Sequence, residues 1–323
     1  MKVAVIAGGP STEANVSRTS ARGVCAALLE AGHEADVIEL DRELAVGLTA
    51  KDWDVVFPVT HGPLGEDGCL QGLLEVLDLP YVGSGVLASA IAASKPHAKT
   101  FFAKAGLPLA EDAHVQRGED LAARAVELRN ALGGGLVVKP ASGGSAIATT
   151  RVRADDDDAQ LVAALAQALD VDRVALVEQF IVGKEVTCGV LENEEGEPQA
   201  LPPTLILSKA AEWYDFKSRY AAGGSEHQCP APLDPALTKR VQQIAVAAHR
   251  AVGARDLCRA DFVVGDAGPV LLEVNTLPGM TATSLYPEAA GVAGVAFPVL
   301  CDRLVRRAAA RGLRERPTEL DMP

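Results

Sequence analysis

The chain has 323 residues, 48% hydrophobic and 23% charged, a globular composition with room for about two domains or one enzyme body with subdomains. Its formal charge of −13 repels a phosphate backbone and no local basic stripe offsets it, which excludes nucleic acid as a partner. The six cysteines include no CxxC pair and read as scattered free thiols, no apolar run reaches the about 18 residues of a membrane span, and Val3–Ala7 is too short for a secretory signal, so a soluble protein of the reducing cytoplasm is expected.

The first 94 residues alternate strand and helix patterns, as in a parallel sheet covered by helices. Strands are expected over 2–7, 34–40, 54–59 and 80–82. Helices are expected over 17–31, 66–77 and 85–93. A second unit begins with a helix from Ser94 to Ala105 that has Pro96 in its first turn, followed by a helix over 119–132 and strands over 136–139 and 173–180. The acidic run Asp155–Asp158 reads as a solvated helix start. From about Gly183 the pattern is strand-rich, with helices over 235–252 and 297–311. The polar, Pro-containing end of the chain is expected to fray.

Two β runs, Arg259–Val264 and Pro269–Asn275, flank a Gly-containing turn and predict a hairpin. A three-residue loop, Asp266-Ala267-Gly268, with Gly268 left-handed, would set Asp261 opposite Glu273 and Arg259 opposite Asn275. Because strand side chains alternate, all four then share one face. Two carboxylates, an amide and a guanidinium suit Mg²⁺ ions bridging phosphates; paired charges on an exposed hairpin face are the plain alternative.

Three loops follow strand ends. Lys139-Pro140-Ala141-Ser142-Gly143-Gly144-Ser145 offers a cation and backbone amides to phosphate, or is an ordinary flexible loop. Gly8-Gly9-Pro10-Ser11-Thr12-Glu13 lies where ligands bind in an open parallel sheet, but it lacks GxGxxG, which disfavours a dinucleotide site despite Asp41 near the end of the second strand. Glu13 reads equally as a ligand contact or a helix N-terminal charge. His61, at the head of His61-Gly62-Pro63-Leu64-Gly65-Glu66-Asp67-Gly68, reads alone as a satisfied loop histidine, with substrate contact as the alternative, and Glu66 and Asp67 suit a helix start.

Taken in order, these segments resemble the D-alanine–D-alanine ligase family of the ATP-grasp superfamily. The resemblance runs from Gly8 to about Phe297 and also includes Tyr81-Val82-Gly83-Ser84-Gly85, Tyr214-Asp215-Phe216 with Tyr220, and Glu273-Val274-Asn275-Thr276-Leu277-Pro278-Gly279-Met280-Thr281. It implies an α/β, ATP-grasp fold in three parts: a parallel-sheet domain over 1–94, a central lobe over 95–182 and a C-terminal lobe over 183–313 carrying metal and catalytic residues, with 314–323 a frayed tail. The implied reaction phosphorylates one D-alanine to an acylphosphate, which the amine of the second attacks, giving D-alanyl-D-alanine for peptidoglycan precursors, with ADP and phosphate released.

On that resemblance Asp261, Glu273 and Asn275 are the ligands of two Mg²⁺, with Mn²⁺ as a substitute. Arg259 and the amide of Gly279 stabilise the tetrahedral oxyanion. Lys95 and Lys139 bind phosphate, Glu178, Phe180, Ile181 and Glu185 contact adenine and ribose, and Arg219 lies at the nucleotide. Glu13, Ser145 and Tyr220 form a hydrogen-bonded triad closing a loop over the site, Ser284 and Leu285 receive the second substrate, and His61 sits near the first. A homodimer is expected. The chain departs from the family pattern at Ala93-Ser94, Ala14-Asn15, Ala146, Ala148, Gln179 and Arg219. These departures leave two other readings open: a paralogue joining another amino acid or amine, or a non-catalytic nucleotide binder. Retention of Arg259, Asp261, Glu273 and Asn275 argues against the second, and Tyr220 favours dipeptide over ester formation.

Overall fold

The computed structural model describes residues 1–208, 225–281 and 283–313. Strands β1 (Lys2–Ala7), β2 (Glu34–Glu39) and β3 (Val55–Pro58) form a parallel sheet in the order β2-β1-β3, with Val3–Ala7 buried at its centre. Helix α1 (Ala14–Glu30) lays Val24, Ala27 and Leu28 on this sheet. It starts three residues before the expected Ser17, because Ser17 N–H already closes a helical bond onto Glu13 C=O. The short helix α2 (Leu44–Thr49) contains Gly47 and is too brief to show a period in sequence.

Helix α3 (Cys69–Val76) begins three residues later than predicted, since Asp67 accepts from the amides of Leu64 and Cys69 and holds that stretch as a turn. The expected strand at 80–82 is reduced to one parallel bridge, Tyr81 to Val56. Helix α4 (Val86–Ala93) follows, then α5 (Lys95–Lys104), with Pro96 in its first turn as predicted.

The second sheet is antiparallel, ordered β4 (Asp112–Gln116), β7 (Val174–Gln179), β5 (Leu136–Pro140), β6 (Thr150–Val152). Helices α6 (Leu121–Leu132) and α7 (Asp158–Val171) bury Leu128, Leu161 and Leu165 against Leu136, Val138 and Val177. Asp157, from the acidic run, caps α7 in a reciprocal pair with Gln160.

The third sheet runs β11 (Ser225–Gln228), β10 (Thr204–Ser208), β8 (Lys184–Glu192), β12 (Leu257–Gly265), β13 (Gly268–Asn275), with β9 (Pro198–Ala200) on β8. Helix α8 (Pro235–Val252), capped by Asp234 and ended by Gly253, covers its apolar face. Phe102 of α5 joins this core. After α9 (Leu285–Val292), helix α10 (Phe297–Arg311) returns to the first sheet and packs Leu300, Leu304 and Val305 into the core that holds Val24 and Leu28 of α1.

The β12–β13 hairpin sets Arg259 opposite Asn275 and Asp261 opposite Glu273, as predicted, by a different route. Gly265 pairs with Gly268, so the strands close on Asp266-Ala267, and Gly268 has φ of +110°, where only glycine is unstrained. One extra residue, Leu272, is then inserted as a bulge beyond Phe262, and it restores the register at Asp261. Burial along β13 alternates until Leu272 and Glu273, which are both half-buried. The bulge therefore turns two successive side chains toward the same cleft.

Candidate active site

Two adjoining cavities lie in the cleft. The larger, about 740 Å³, is bounded by Glu13 and His61 from the first domain, Ser145 from the loop after β5, and Arg259, Asp261 and Ser284 from the C-terminal part. The smaller, about 170 Å³, lies between the second and third sheets, with Lys95, Lys139, Phe180 and Ile181 on its walls. Glu185, Leu272 and Glu273 border both.

The hairpin supplies the acid side. Alternation on β12 buries Ala260 and Phe262 under α8 and leaves Arg259 and Asp261 facing the larger cavity. Arg259 grips Asp261 with two parallel bonds, Nε to Oδ1 at 2.7 Å and Nη2 to Oδ2 at 2.8 Å. Asn275 Nδ2 donates to Asp261 Oδ2 at 3.1 Å. Glu273 Oε2 lies 3.6 Å from Lys95 Nζ. A Cβ at Gly279 would stand 2.9 Å from Ser284 Oγ, so any larger residue there would displace that hydroxyl. That hydroxyl accepts from Thr281 N–H at 3.0 Å and meets Thr281 Oγ1 at 2.7 Å, fixing the turn before α9, whose first residue is Leu285.

The cations come from the second sheet and α5. Lys95 Nζ donates to Gly143 C=O at 2.5 Å, and burial pulls its pKa below the ordinary value against the partial offset of Glu273. Burial of Lys139 disfavours its charge, but Glu178, with Oε2 2.5 Å from Nζ, together with Glu273 and Asp112 outweighs the desolvation and holds the ammonium above its ordinary range. Glu178 is 3% exposed, and burial pushes its carboxyl up. Lys139 and Lys99 outweigh that and bring it down to about 2.

Lys99 is a residue that sequence reasoning missed. Its ammonium, 4% exposed, reaches Glu178 Oε1 at 2.6 Å, Asp112 Oδ1 at 2.9 Å and Ala110 C=O at 3.0 Å. The available signal was its spacing: Lys95 and Lys99 are one turn apart on α5, and two cations on one helix face need acids opposite them. Glu178 thus has both oxygens paired with lysines. Phe180 keeps a face to the smaller cavity, with the Arg151 guanidinium 3.9 Å from its ring centroid, a contact that also had no sequence signal. Gln179 Nε2 bonds Leu132 C=O at 2.7 Å and is anchored to the end of α6.

The remaining groups meet across the larger cavity. Ser145 Oγ donates to Glu13 Oε1 at 2.5 Å, joining the loop after β5 to the first domain. Glu13 stands at the N-cap position of α1 without a side-chain capping bond, and its carboxylate instead accepts from Ser145 at the edge of the larger cavity. His61 is 8% exposed, with Nδ1 3.3 Å from Glu66 Oε1. Burial disfavours its imidazolium, yet Glu66 and Glu13 hold its pKa above the ordinary value. Glu66, read from sequence as a helix start, instead also accepts from Gly62 N–H at 2.8 Å and shapes the His61 loop. Asp41 is exposed, lines neither cavity, and its carboxylate accepts from Glu43 N–H. Tyr214, Asp215, Phe216, Arg219 and Tyr220 lie outside the described residues, as does 314–323.

A lysine-floored cavity between two antiparallel sheets, opening onto a larger cavity lined by acidic and basic side chains, on this fold defines an enzyme of the ATP-grasp class. The family model described as D-ala D-ala ligase C-terminus matches residues 101–306, and that described as D-ala D-ala ligase N-terminus matches 44–84. The D-alanine–D-alanine ligase of Desulforudis audaxviator is 42% identical over 311 residues, 96% of this chain and 99% of the relative. That of Gluconobacter oxydans is 42% identical over 317 residues, 96% and 100%. The solved D-alanine–D-alanine ligase of Coxiella burnetii superposes with a TM-score of 0.83 at 29% identity, covering 97% of this chain and 94% of that one. The Bacillus anthracis ligase complexed with ATP gives 0.82 at 31%, covering 96% and 98%. The chain belongs to the D-alanine–D-alanine ligase family. Among the described residues no helix is long and apolar enough to cross a membrane.

Proposed function

We propose that the protein joins two molecules of D-alanine into D-alanyl-D-alanine, with the terminal phosphoryl group of ATP passing to one carboxylate and leaving as phosphate beside ADP, the dipeptide serving cell-wall peptidoglycan synthesis. The observation that carries this reading is the convergence of Arg259, Asp261, Glu273 and Asn275 on one cavity wall opposite the Glu13–Ser145 bond, in a chain of this family.

The smaller cavity takes ATP. Phe180 and Ile181 flank the base, Glu185 meets the ribose, and Lys95 and Lys139 meet the phosphates. Arg219 belongs near the nucleotide by family position. Glu178 lowers the cost of burying two lysines side by side and so keeps Lys139 charged for its phosphate. Its role is thus charge compensation as much as nucleotide contact.

Asp261, Glu273 and Asn275 are all oxygen donors, which fits Mg²⁺, or Mn²⁺ in its place. They number only two carboxylates, and among the described residues no cluster of three acidic, His or Cys ligands occurs. That suits an ion that takes its remaining ligands from phosphate and water. Held by Asp261, Glu273 and Asn275, Mg²⁺ would supply positive charge against the charge that builds on the transferring phosphoryl group.

The first D-alanine lies by His61 and the Glu13–Ser145 bond, to which Tyr220 is added by family position alone, with its carboxylate aimed at the terminal phosphate. Activation converts a poor electrophile into an acylphosphate. The second D-alanine, its carboxylate held at Ser284 and Leu285, presents its amine to that carbon. Arg259, oriented by Asp261, and the Gly279 N–H stabilise the oxyanion. Division into parts at about residues 94 and 182, a homodimer and a cytoplasmic location complete the reading and rest on the family resemblance.

Phosphate release by purified protein with ATP and Mg²⁺, with and without D-alanine, tests the proposal. D-alanine-dependent phosphate together with D-alanyl-D-alanine by mass is expected. Turnover only with another amino acid, or ATP binding without turnover, overturns it.

A further inference from the structure

Away from the reacting groups, Asp256 is fully buried and has a left-handed backbone, φ +63°, a strained conformation for a residue with a side chain. Its carboxylate sits where three parts of the chain meet. Oδ2 accepts the Gly83 N–H of the first domain at 2.8 Å. Oδ1 accepts from Arg307 Nε at 3.1 Å and from Arg311 Nη1, both on α10. Its own C=O accepts Glu192 N–H at 2.9 Å. Arg311 also donates to Tyr81 C=O at 2.8 Å, and the neighbouring Arg255 Nε donates to Gly83 C=O at 2.7 Å.

The network continues beneath β12. Glu192 Oε2 accepts from Arg307, Glu192 Oε1 lies 3.1 Å from His249 Nε2, and His249 Nδ1 lies 3.3 Å from Cys258 Sγ. Cys258 directly precedes Arg259 on the strand. One chain of buried polar contacts thus runs from Gly83 to the residue before the proposed oxyanion group. The larger cavity is built across this same junction, with Glu13 and His61 on one side and Arg259 and Ser284 on the other. The smaller cavity lies between the second and third sheets, which this network does not bridge.

We infer that Asp256 is a positioning residue which clamps the first domain onto the start of β12 and so sets the width of the amino-acid cavity without touching substrate. The inference rests on the reading of that cavity as the D-alanine site. A carboxylate is needed because three N–H groups and two guanidinium charges converge on it; the amide of Asn accepts on one atom only.

The test is steady-state kinetics of Asp256→Asn, with hydrogen exchange at residues 81–84. The KM for D-alanine should rise by about tenfold or more, as expected when the two sides of the amino-acid cavity separate and ground-state contacts to the substrate are lost. The KM for ATP should stay within about twofold, and the Gly83 amide should lose protection. A merely structural defect would lower the active fraction and leave both KM values unchanged. Equal rises in both KM values, or none, overturn the inference. Where Asp256→Asn does not fold, Arg311→Met keeps the Gly83 bond and should show the same D-alanine-selective rise at smaller size; no rise overturns it. If the wild type does not turn over D-alanine, the functional reading fails separately, and unchanged Gly83 exchange in Asp256→Asn would then refute the clamp.

Discussion

On the hairpin side of the cleft, Arg259, Asp261, Glu273 and Asn275 stand where strand register and one bulge place them, over a core sealed by α8. On the facing side, the loop 142–149 has no ladder. It is held by Asp172, whose Oδ2 accepts both Ser142 N–H and Oγ–H, by Lys95 on Gly143 C=O, and by Ser145 on Glu13. Beneath it lie Glu178 and its two lysines. One side positions groups by regular geometry, whereas the other does so by matched buried charge and a few side-chain bonds. In the proposed reading, chemistry that needs fixed oxygens is assigned to the first, and the cover over the nucleotide to the second.

The largest effect should come from removing a charge on the rigid side without changing shape. Glu273→Gln is expected to lower kcat by about 10³-fold, with the melting temperature within a few degrees of wild type. Turnover at the wild-type rate with ordinary Mg²⁺ dependence would show that the hairpin face is structural.

On the facing side, a charge change should act on stability first. Lys99→Met leaves Glu178 with one partner in a dry site, and a loss of about 3 kcal/mol is expected by chemical denaturation, with a higher KM for ATP. The same cluster fixes an acid limb. The Glu178 carboxyl is held at about 2, below the ordinary 4.5. Its stabilisation is therefore complete above pH about 4.5 and is lost as pH falls toward 2, an amount on the order of 3 kcal/mol. Wild-type stability should fall over that window, and Glu178→Gln should flatten the slope. Parallel slopes in both proteins would place the charge compensation elsewhere.

The same division explains what the sequence disclosed. The pairing of Asp261 with Glu273 was legible because strand alternation is a period of two, and the loop count happened to equal a shorter loop plus a bulge. The bulge itself left no mark, since Leu272 continues an apolar run. Pro96 marked a helix start by local chemistry. Lys99 with Glu178, and Asp256 with Gly83, are separated by 79 and 173 residues. Nothing local encodes such partners, so buried charges in the sequence announce only that partners exist. Glu13 was ambiguous for a related reason, since its carboxylate's partner, Ser145, is 132 residues away.

The loop also carries strain that the hairpin lacks. Ser145, Ala146 and Ala148 have φ of +57°, +54° and +52°. A left-handed backbone costs a residue with a Cβ about 1–2 kcal/mol, while glycine loses about 0.5–1 kcal/mol more entropy on ordering. For Ala148→Gly the first effect slightly outweighs the second, provided the strain belongs to the closed loop that bonds Glu13. Closure should then become easier by a few tenths of a kcal/mol to about 1 kcal/mol, and the KM for ATP should fall by about two- to fivefold, with kcat changed less. Ala146→Gly should act in the same direction. The corresponding change on the rigid side, Ala260→Gly in the buried strand, should leave the KM for ATP alone and cost stability, because glycine weakens a strand interior. A higher KM in Ala148→Gly would mean that the left-handed geometry is present before ATP arrives, and that alanine there stiffens the loop in advance of closure.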